Sequence, residues 1–265
     1  MYLDNGEIRI GIDRGSGGSV FYFSQVKPAR NVLNHFDRGR FVQQSYYGDG
    51  DGSHWAGKEW RWNPVQGGDY KGSPAKITES TATDNELYTK STPKHWATGV
   101  DIGDSVMEQW IELRAEVAHI HYKFSYAGEH SHQSRHQELP AVFVDYDLPH
   151  LVFYRGAKPW TYDALTSKVP QWPNEYETRD EHWAAYVDDT SWGIGVYTPD
   201  TEEMTCYRYQ GEKGPEGSGC SYLAPIRTLA ITSGFELEYD VYLTIGTIEE
   251  IRSRFYRLHS TAHSD

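Results

Sequence analysis

The sequence predicts an all-β fold: a two-sheet antiparallel β-sandwich, of supersandwich or jelly-roll type, with one short C-terminal helix. Three observations lead there. Short segments alternate apolar and polar residues with the period of two that a half-buried strand requires. Clusters of Gly, Asp, Asn and Ser separate them, supplying residues that adopt positive φ in turns. Helical periodicity is confined to one stretch near the C-terminus.

The elements follow in order. Residues 7–12 (EIRIGI) alternate, and residues 19–23 (SVFYF) are aromatic and β-branched, with the tight turn GSGGS (15–19) between them. Residues 107–114 (MEQWIELR) and 117–126 (VAHIHYKFSY) have period-two character and a short linker between them. Residues 141–144, 151–154, 183–187, 193–197, 228–231 and 236–244 obey the same rule. Residues 247–258 (TIEEIRSRFYRL) read as the one helix: Thr247 caps it, and Glu249 and Glu250 lie near the positive end of its dipole. Ile248, Ile251, Phe255 and Leu258 form an apolar stripe, which suits packing on the outside of a sheet. The first long interruption covers roughly residues 45–75, and loops of that length usually carry function or cover a site. With no linker, low-complexity block or repeat, residues 1–265 are expected to form a single domain.

Composition narrows the function. Hydrophobic residues make up 38% of the 265 and charged residues 24%, a globular balance. A chain of this size buries about three-quarters of its unfolded surface without needing a metal or disulfide. Cys206 and Cys220 can face each other across the turn-rich GEKGPEGSG, either bonded or as two buried thiols. The formal net charge of −13 and the absence of a basic run exclude nucleic acid and disfavour anionic membranes. A polyanionic sugar would need a local basic groove set against that field. No stretch approaches the ~20 apolar residues of a membrane span. No apolar leader core follows Met1. The expectation is a secreted or periplasmic protein whose leader has been removed, with a cytoplasmic location as the alternative.

Aromatics reach 14%, with 9 Trp and 20 Tyr, and many sit among Gly and Asp in the turn regions. Flat rings with a polar edge cover the C–H faces of a pyranose, while amide, carboxylate and guanidinium groups bond hydroxyls in pairs. Residues 31–72 concentrate this mixture: Arg40, Gln43, Gln44, Tyr46, His54, Trp55, Trp60, Trp62, Asn63, Gln66 and Asp69. Two further segments offer carboxylates at expected strand entrances, Glu138 in HQELP (136–140) and Glu181 in EHWAAYV (181–187). Glycoside hydrolysis needs such a pair, one acid and one base or nucleophile.

Other chemistries lack their signatures. GDGDG (48–52) lacks the spacing and closing Glu of a calcium loop. His119 and His121 share a strand face, and His130, His132 and His136 follow in an expected loop. No HExxH or CxxC accompanies them, so no metal is expected. No GxSxG elbow supports acyl transfer, and GSGGS, with no helix after it, is not a phosphate loop. No cofactor is expected.

The segments GIDRGSGGSVFYFS, NVLNHFDRGRFVQQSYYG, WNPVQGGD, HQELPAVFV, EHWAAYVDDTSWGIGVYTP and FELEYDVYLTIGTIEEIR together resemble a family of bacterial carbohydrate-related proteins. The order of elements resembles galactose mutarotase-like β-supersandwiches: an early glycine pair before an aromatic strand, an N-x-x-x-x-D segment, and a late strand pair. That resemblance implies two antiparallel sheets with a sugar-binding concave face. It also implies a His acid, which His136 matches loosely, and a late Glu base. Glu236 and Glu238 read as ordinary strand residues, so the second role has no match.

The leading expectation is hydrolysis of a glycosidic linkage in an oligo- or polysaccharide. Glu138 and Glu181 would be the paired carboxylates, burial beside Trp183 would raise the acid's pKa, and Asp69 stands in reserve. Arg40, Gln43, Gln44, Tyr46, Trp62, Asn63, Gln66 and Trp183 would hold the sugar. The alternative is a lyase, in which Arg40 neutralises a uronate while Tyr46 or His136 takes the C5 proton. A non-catalytic binding module and a sugar mutarotase or epimerase follow.

Overall fold

A computed structural model describes residues 1–262. Two large antiparallel sheets face each other. One has seven strands, in the spatial order Lys94–His95, Pro64–Val65, Gln43–Ser45, His132–Asp145, Cys220–Ile231, Glu203–Tyr209 and Glu175–Thr178. The other has nine, in the order Thr166–Lys168, His150–Phe153, Trp183–Val187, Trp192–Tyr197, Phe235–Thr247, Val117–Tyr126, Ser105–Arg114, Glu86–Thr92 and Lys76–Ala82. A small sheet of Tyr2–Asp4, Ile8–Ile12 and Val20–Gln25 and a hairpin of Gly50–Trp55 and Lys58–Arg61 complete the strands. This is the expected all-β sandwich.

The core lies between the two large sheets and follows from the alternation. Along Val117–Tyr126 every second side chain is buried, among them Ile120, Tyr122 and Phe124. Tyr46 stacks on Phe124 across the layers with ring centroids 4.1 Å apart. The Tyr186 hydroxyl donates to the Tyr222 carbonyl at 2.9 Å, tying one sheet to the other. Cys206 faces this core, whereas Cys220 sits on the opposite face of its sheet, beside Phe143 and Tyr222. Both are free thiols, pushed up by burial to about 12 and about 11 respectively.

The helix runs Ile248–Ala262, longer than its apolar stripe alone indicated. Thr247 and Glu250 form a capping box: the Glu250 carboxylate accepts from the Thr247 N–H at 2.8 Å, and the Thr247 hydroxyl accepts from the Glu250 N–H at 3.4 Å. Ile251 and Phe255 pack on Trp183, Ala185 and Val187, on the face of the nine-stranded sheet turned away from the core. Gly195 permits this approach, because a Cβ there would lie 2.4 Å from Ile251.

Two expectations are corrected here. Residues 45–75 are not one long loop: they hold the Gly50–Trp55 and Lys58–Arg61 hairpin and the edge strand Pro64–Val65. Glu138 does not precede a strand but lies inside the His132–Asp145 strand.

Candidate active site

A cavity of about 820 Å³ opens on the face of the seven-stranded sheet that points away from the core. Strand periodicity populates it. Gln43 and Ser45 line it from one strand, Tyr47 from just beyond its end, and Arg61, Asn63 and Val65 from the next segment. Tyr222, Ile226 and Thr228 contribute from Cys220–Ile231, and Thr205 and Tyr207 from Glu203–Tyr209. The central strand adds His136 and Glu138. A bulge then shifts its register between Glu138 and Val142, so that Ala141 and Phe143 face the cavity instead of the core. Trp55, Trp60 and Trp96 stand at one edge, with Trp55 edge-on to both others at 4.8 and 5.8 Å. Trp172 and Tyr176 stand at the other edge, and Trp172 meets Tyr207 edge-on at 4.9 Å.

Glu138 is the one carboxylate lining this cavity among the described residues. It is half-buried at the middle of the sheet. Burial raises its pKa to about 7, and hydrogen bonds from Tyr222 and Tyr47 offset part of the rise. The Tyr222 hydroxyl donates to Glu138 Oε1 at 2.5 Å. Tyr222 is itself held by stacking on Tyr207 at 4.4 Å. Tyr47 is fixed by Gln137, whose side chain accepts from the Tyr47 N–H at 2.8 Å and donates to its carbonyl at 2.9 Å. Burial, followed by the negative charge of Glu138, drives the phenols of Tyr47 and Tyr222 well above their ordinary range. They therefore stay protonated as donors. His136 lies two residues from Glu138 on the same strand face, with Nδ1 3.0 Å from the Thr228 hydroxyl. Asn63 accepts from the Trp60 indole N–H at 3.2 Å and donates to the Tyr46 carbonyl at 2.7 Å, bracing the aromatic edge.

Of the residues singled out in the sequence, Glu138, His136, Gln43, Asn63, Trp55 and Trp60 line the cavity. Gln43 spends its amide on the Gly67 N–H, the Ser19 hydroxyl and the Arg38 carbonyl, so it shapes the wall. The others lie elsewhere. Glu181 is fully buried beneath the helix and accepts from the Trp160 N–H at 2.9 Å, the Trp183 indole at 2.8 Å, Tyr256 at 2.6 Å and Arg252 at 3.1 Å. It fastens the helix and does not meet Glu138 across a cleft. Trp183 packs in that same cluster, against Phe255.

Gln44, Tyr46 and Gln66 point into the core. Tyr46 donates to Gln44 at 2.9 Å, and Gln66 donates to Gln109 at 3.1 Å. Trp62 packs against the core and stacks on His132 at 4.3 Å. Asp69 closes a turn by accepting from the Lys71 and Ser73 N–H groups at 3.0 and 2.6 Å. Arg40 is spent on the Ser218 carbonyl, Asp37 and the rings of Phe36 and Tyr209.

Sequence reasoning missed Tyr47, Arg61, Arg135, Trp172, Tyr207 and Tyr222. Parity alone would have found Tyr47, which continues the Gln43, Ser45 alternation. Arg61 lay between the named Trp60 and Trp62, and Arg135 beside His136, whereas Trp172, Tyr207 and Tyr222 come from distant segments that the fold brings together. Asp49, His130 and His132 bring ligand-capable atoms within 4.8 Å of one another. The Asp49 carboxylate there is already bonded to the Gln133 N–H and the Arg135 guanidinium, both at 3.1 Å.

Comparison with known proteins settles the architecture. No known family profile matches the chain. No curated protein matches it in sequence. Solved structures do. A galactose mutarotase-like protein from Lactobacillus casei superposes with a TM-score of 0.61 at 9% identity, covering 92% of this chain and 99% of that one. A galactose mutarotase related enzyme from Lactobacillus acidophilus gives 0.60 at 8% identity, over 92% and 96% of the two chains. A candidate aldose 1-epimerase from Escherichia coli K12 gives 0.59 at 11% identity, over 93% and 98%. The fold is galactose mutarotase-like. At these identities the likeness concerns the fold, so the chemistry has to be argued from the cavity itself.

Proposed function

We propose that the cavity binds a carbohydrate, that Glu138 transfers protons within it, and that the reaction interconverts the anomers of an aldose. The observation that carries this is Glu138 itself: a single carboxylate at the middle of an aromatic-edged cavity, raised to about 7 and held by two phenols. Anomer interconversion asks for little more. A base takes the proton from the anomeric hydroxyl, the bond between C1 and the ring oxygen breaks, and an acid protonates that oxygen. Rotation of the aldehyde and the reverse transfers complete the change. Glu138 is placed to be the base and His136 the acid. A base whose pKa lies near the working pH combines a sufficient ionised fraction with a strong drive to accept the proton. Two-carboxylate hydrolysis finds less support, since the lining offers no second carboxylate among the described residues. The solved structures named above, two described as mutarotase-related and one as a candidate epimerase, point the same way.

The test follows anomeric equilibration of glucose, galactose and their uronates by polarimetry and exchange NMR. Wild-type protein is expected to accelerate at least one sugar, with Glu138→Gln slower by about 10²-fold or more. Because the base must be ionised, the rate is expected to rise with pH through about 7. No acceleration of any sugar, or full activity in Glu138→Gln, overturns the assignment.

A further inference from the structure

We propose that the same cavity contains an anion subsite, built on Arg61 with Arg135, and that its sugar carries a carboxylate or phosphate. The inference rests on the reading of the cavity as a carbohydrate site and names the class of sugar.

The starting point is a mismatch of charge. The chain has 38 acidic residues against 25 Lys and Arg, so a guanidinium has carboxylates to choose from. Arg30, Arg38, Arg114, Arg155 and Arg252 pair with carboxylates, whereas Arg9, Arg14, Arg179, Arg208 and Arg227 have no such pair among the described residues but do not line the cavity. Arg61 lines the cavity with no carboxylate partner and no hydrogen bond among the described residues. Its guanidinium carbon lies 5.6 Å from the Trp60 ring, which orients it as one wall of the site. Its charge also acts on the phenol of Tyr47, which it favours in the ionised form. Arg61 and the Tyr47–Glu138 pair line the same cavity.

Arg135 supplies a second cation. One terminal nitrogen holds Asp49 at 3.1 Å, and its Nε is closed to incoming atoms. The reachable part is the rest of its side chain, which is 35% exposed and lines the cavity. The two guanidiniums meet a single carboxylate in the lining, Glu138, which near neutral pH is only partly ionised. The cavity is thus locally positive in a protein of net charge −13. A neutral sugar would leave Arg61 uncompensated, whereas Arg135 keeps Asp49. An anionic substituent would satisfy Arg61 through charge-assisted, bidentate bonds in a site partly shielded from water, with Arg135 adding to the positive field.

The experiment is calorimetric titration of the full chain with glucose, glucuronate and glucose 6-phosphate, and with the galacto series of the same three. Wild-type protein is expected to bind an anionic member at least about tenfold more tightly than its neutral counterpart. That ratio should fall towards one in Arg61→Met and decrease in Arg135→Met. Preference for the uronate names a carboxylate, and preference for the ester names a phosphate. Arg61→Lys keeps the charge and is expected to keep part of the ratio. A loss in Arg61→Lys as complete as in Arg61→Met, with both folded by circular dichroism, assigns the effect to packing on Trp60 and overturns the subsite. Equal affinity for neutral and anionic sugars, or a preference that survives both Met variants, also overturns it and leaves the carbohydrate site standing. Failure to bind any of the six overturns the carbohydrate reading, and the subsite with it.

Discussion

At the scale of single residues, Glu138 and Glu181 show how one side chain takes opposite roles in one fold. Each was a carboxylate at an expected strand entrance, and the sequence offered no means of separating them. The difference is in their partners. Glu138 receives two phenols and faces open space, and burial raises its pKa to about 7. Glu181 receives an indole, a phenol, a backbone N–H and a guanidinium, and is sealed from solvent. Removing one member of a buried ion pair strands the other. Glu181→Ala is therefore expected to destabilise the protein by about 3–5 kcal/mol, measured by urea denaturation, because Arg252 would be left buried and unpaired. A change below about 1 kcal/mol would show that Glu181 is not the fastener described here.

At the scale of elements, legibility was uneven: residues 141–144 and 228–231 marked only part of His132–Asp145 and Cys220–Ile231, and Lys76–Ala82, Glu86–Thr92 and Glu203–Tyr209 were not read at all. The Val117–Tyr126 strand was bounded correctly because its long alternation fixes the period, and Trp183–Val187 because a short apolar run ends at turn residues. Gln43–Ser45, Pro64–Val65 and Lys94–His95 escaped, since two or three residues carry no period at all; pairing with a neighbour is what makes them strands. The site suffered for this. Gln43 and Gln44 were chosen together, though neighbours in a strand point to opposite faces, and Trp62 was chosen beside Asn63 for the same reason. Pro140 is the sequence signal for the bulge after Glu138, since a proline cannot donate to the ladder of a central strand, and that bulge decides which half of the strand faces the cavity. The helix, by contrast, was readable to its cap. Thr247→Ala removes one half of the capping box and is expected to cost about 1 kcal/mol, seen as a lower denaturation midpoint with an unchanged slope. No shift in midpoint would mean that packing of Ile251 and Phe255 alone holds the helix start.

At the scale of the whole molecule, stability and binding occupy different layers. The core between the sheets and the cluster under the helix hold most of the buried apolar side chains, while the cavity lies outside both. The Gly50–Trp55 and Lys58–Arg61 hairpin makes the separation testable. It emerges between Gly48 and Trp62, whose backbones stay paired through Gly48 N–H to Trp62 O at 2.7 Å and Trp62 N–H to Asp49 O at 3.0 Å. A two-residue turn can close that pair directly. Excising residues 50–61 and replacing them with Asn-Gly removes Trp55, Trp60 and Arg61 from the site. Of the fold proper it removes chiefly the 2.7 Å bond between Asp51 and His95 and the edge contact of Trp55 with Trp96. The excised protein is expected to melt within about 5 °C of wild type, because the loss is of order 1 kcal/mol in a domain this large. Its affinity for sugar should fall at least about tenfold, because one aromatic edge and one cation have gone. Cooperative melting with lost binding would place the hairpin in recognition. Loss of cooperative melting would show that the hairpin belongs to the folding core, and that the two layers are not separable.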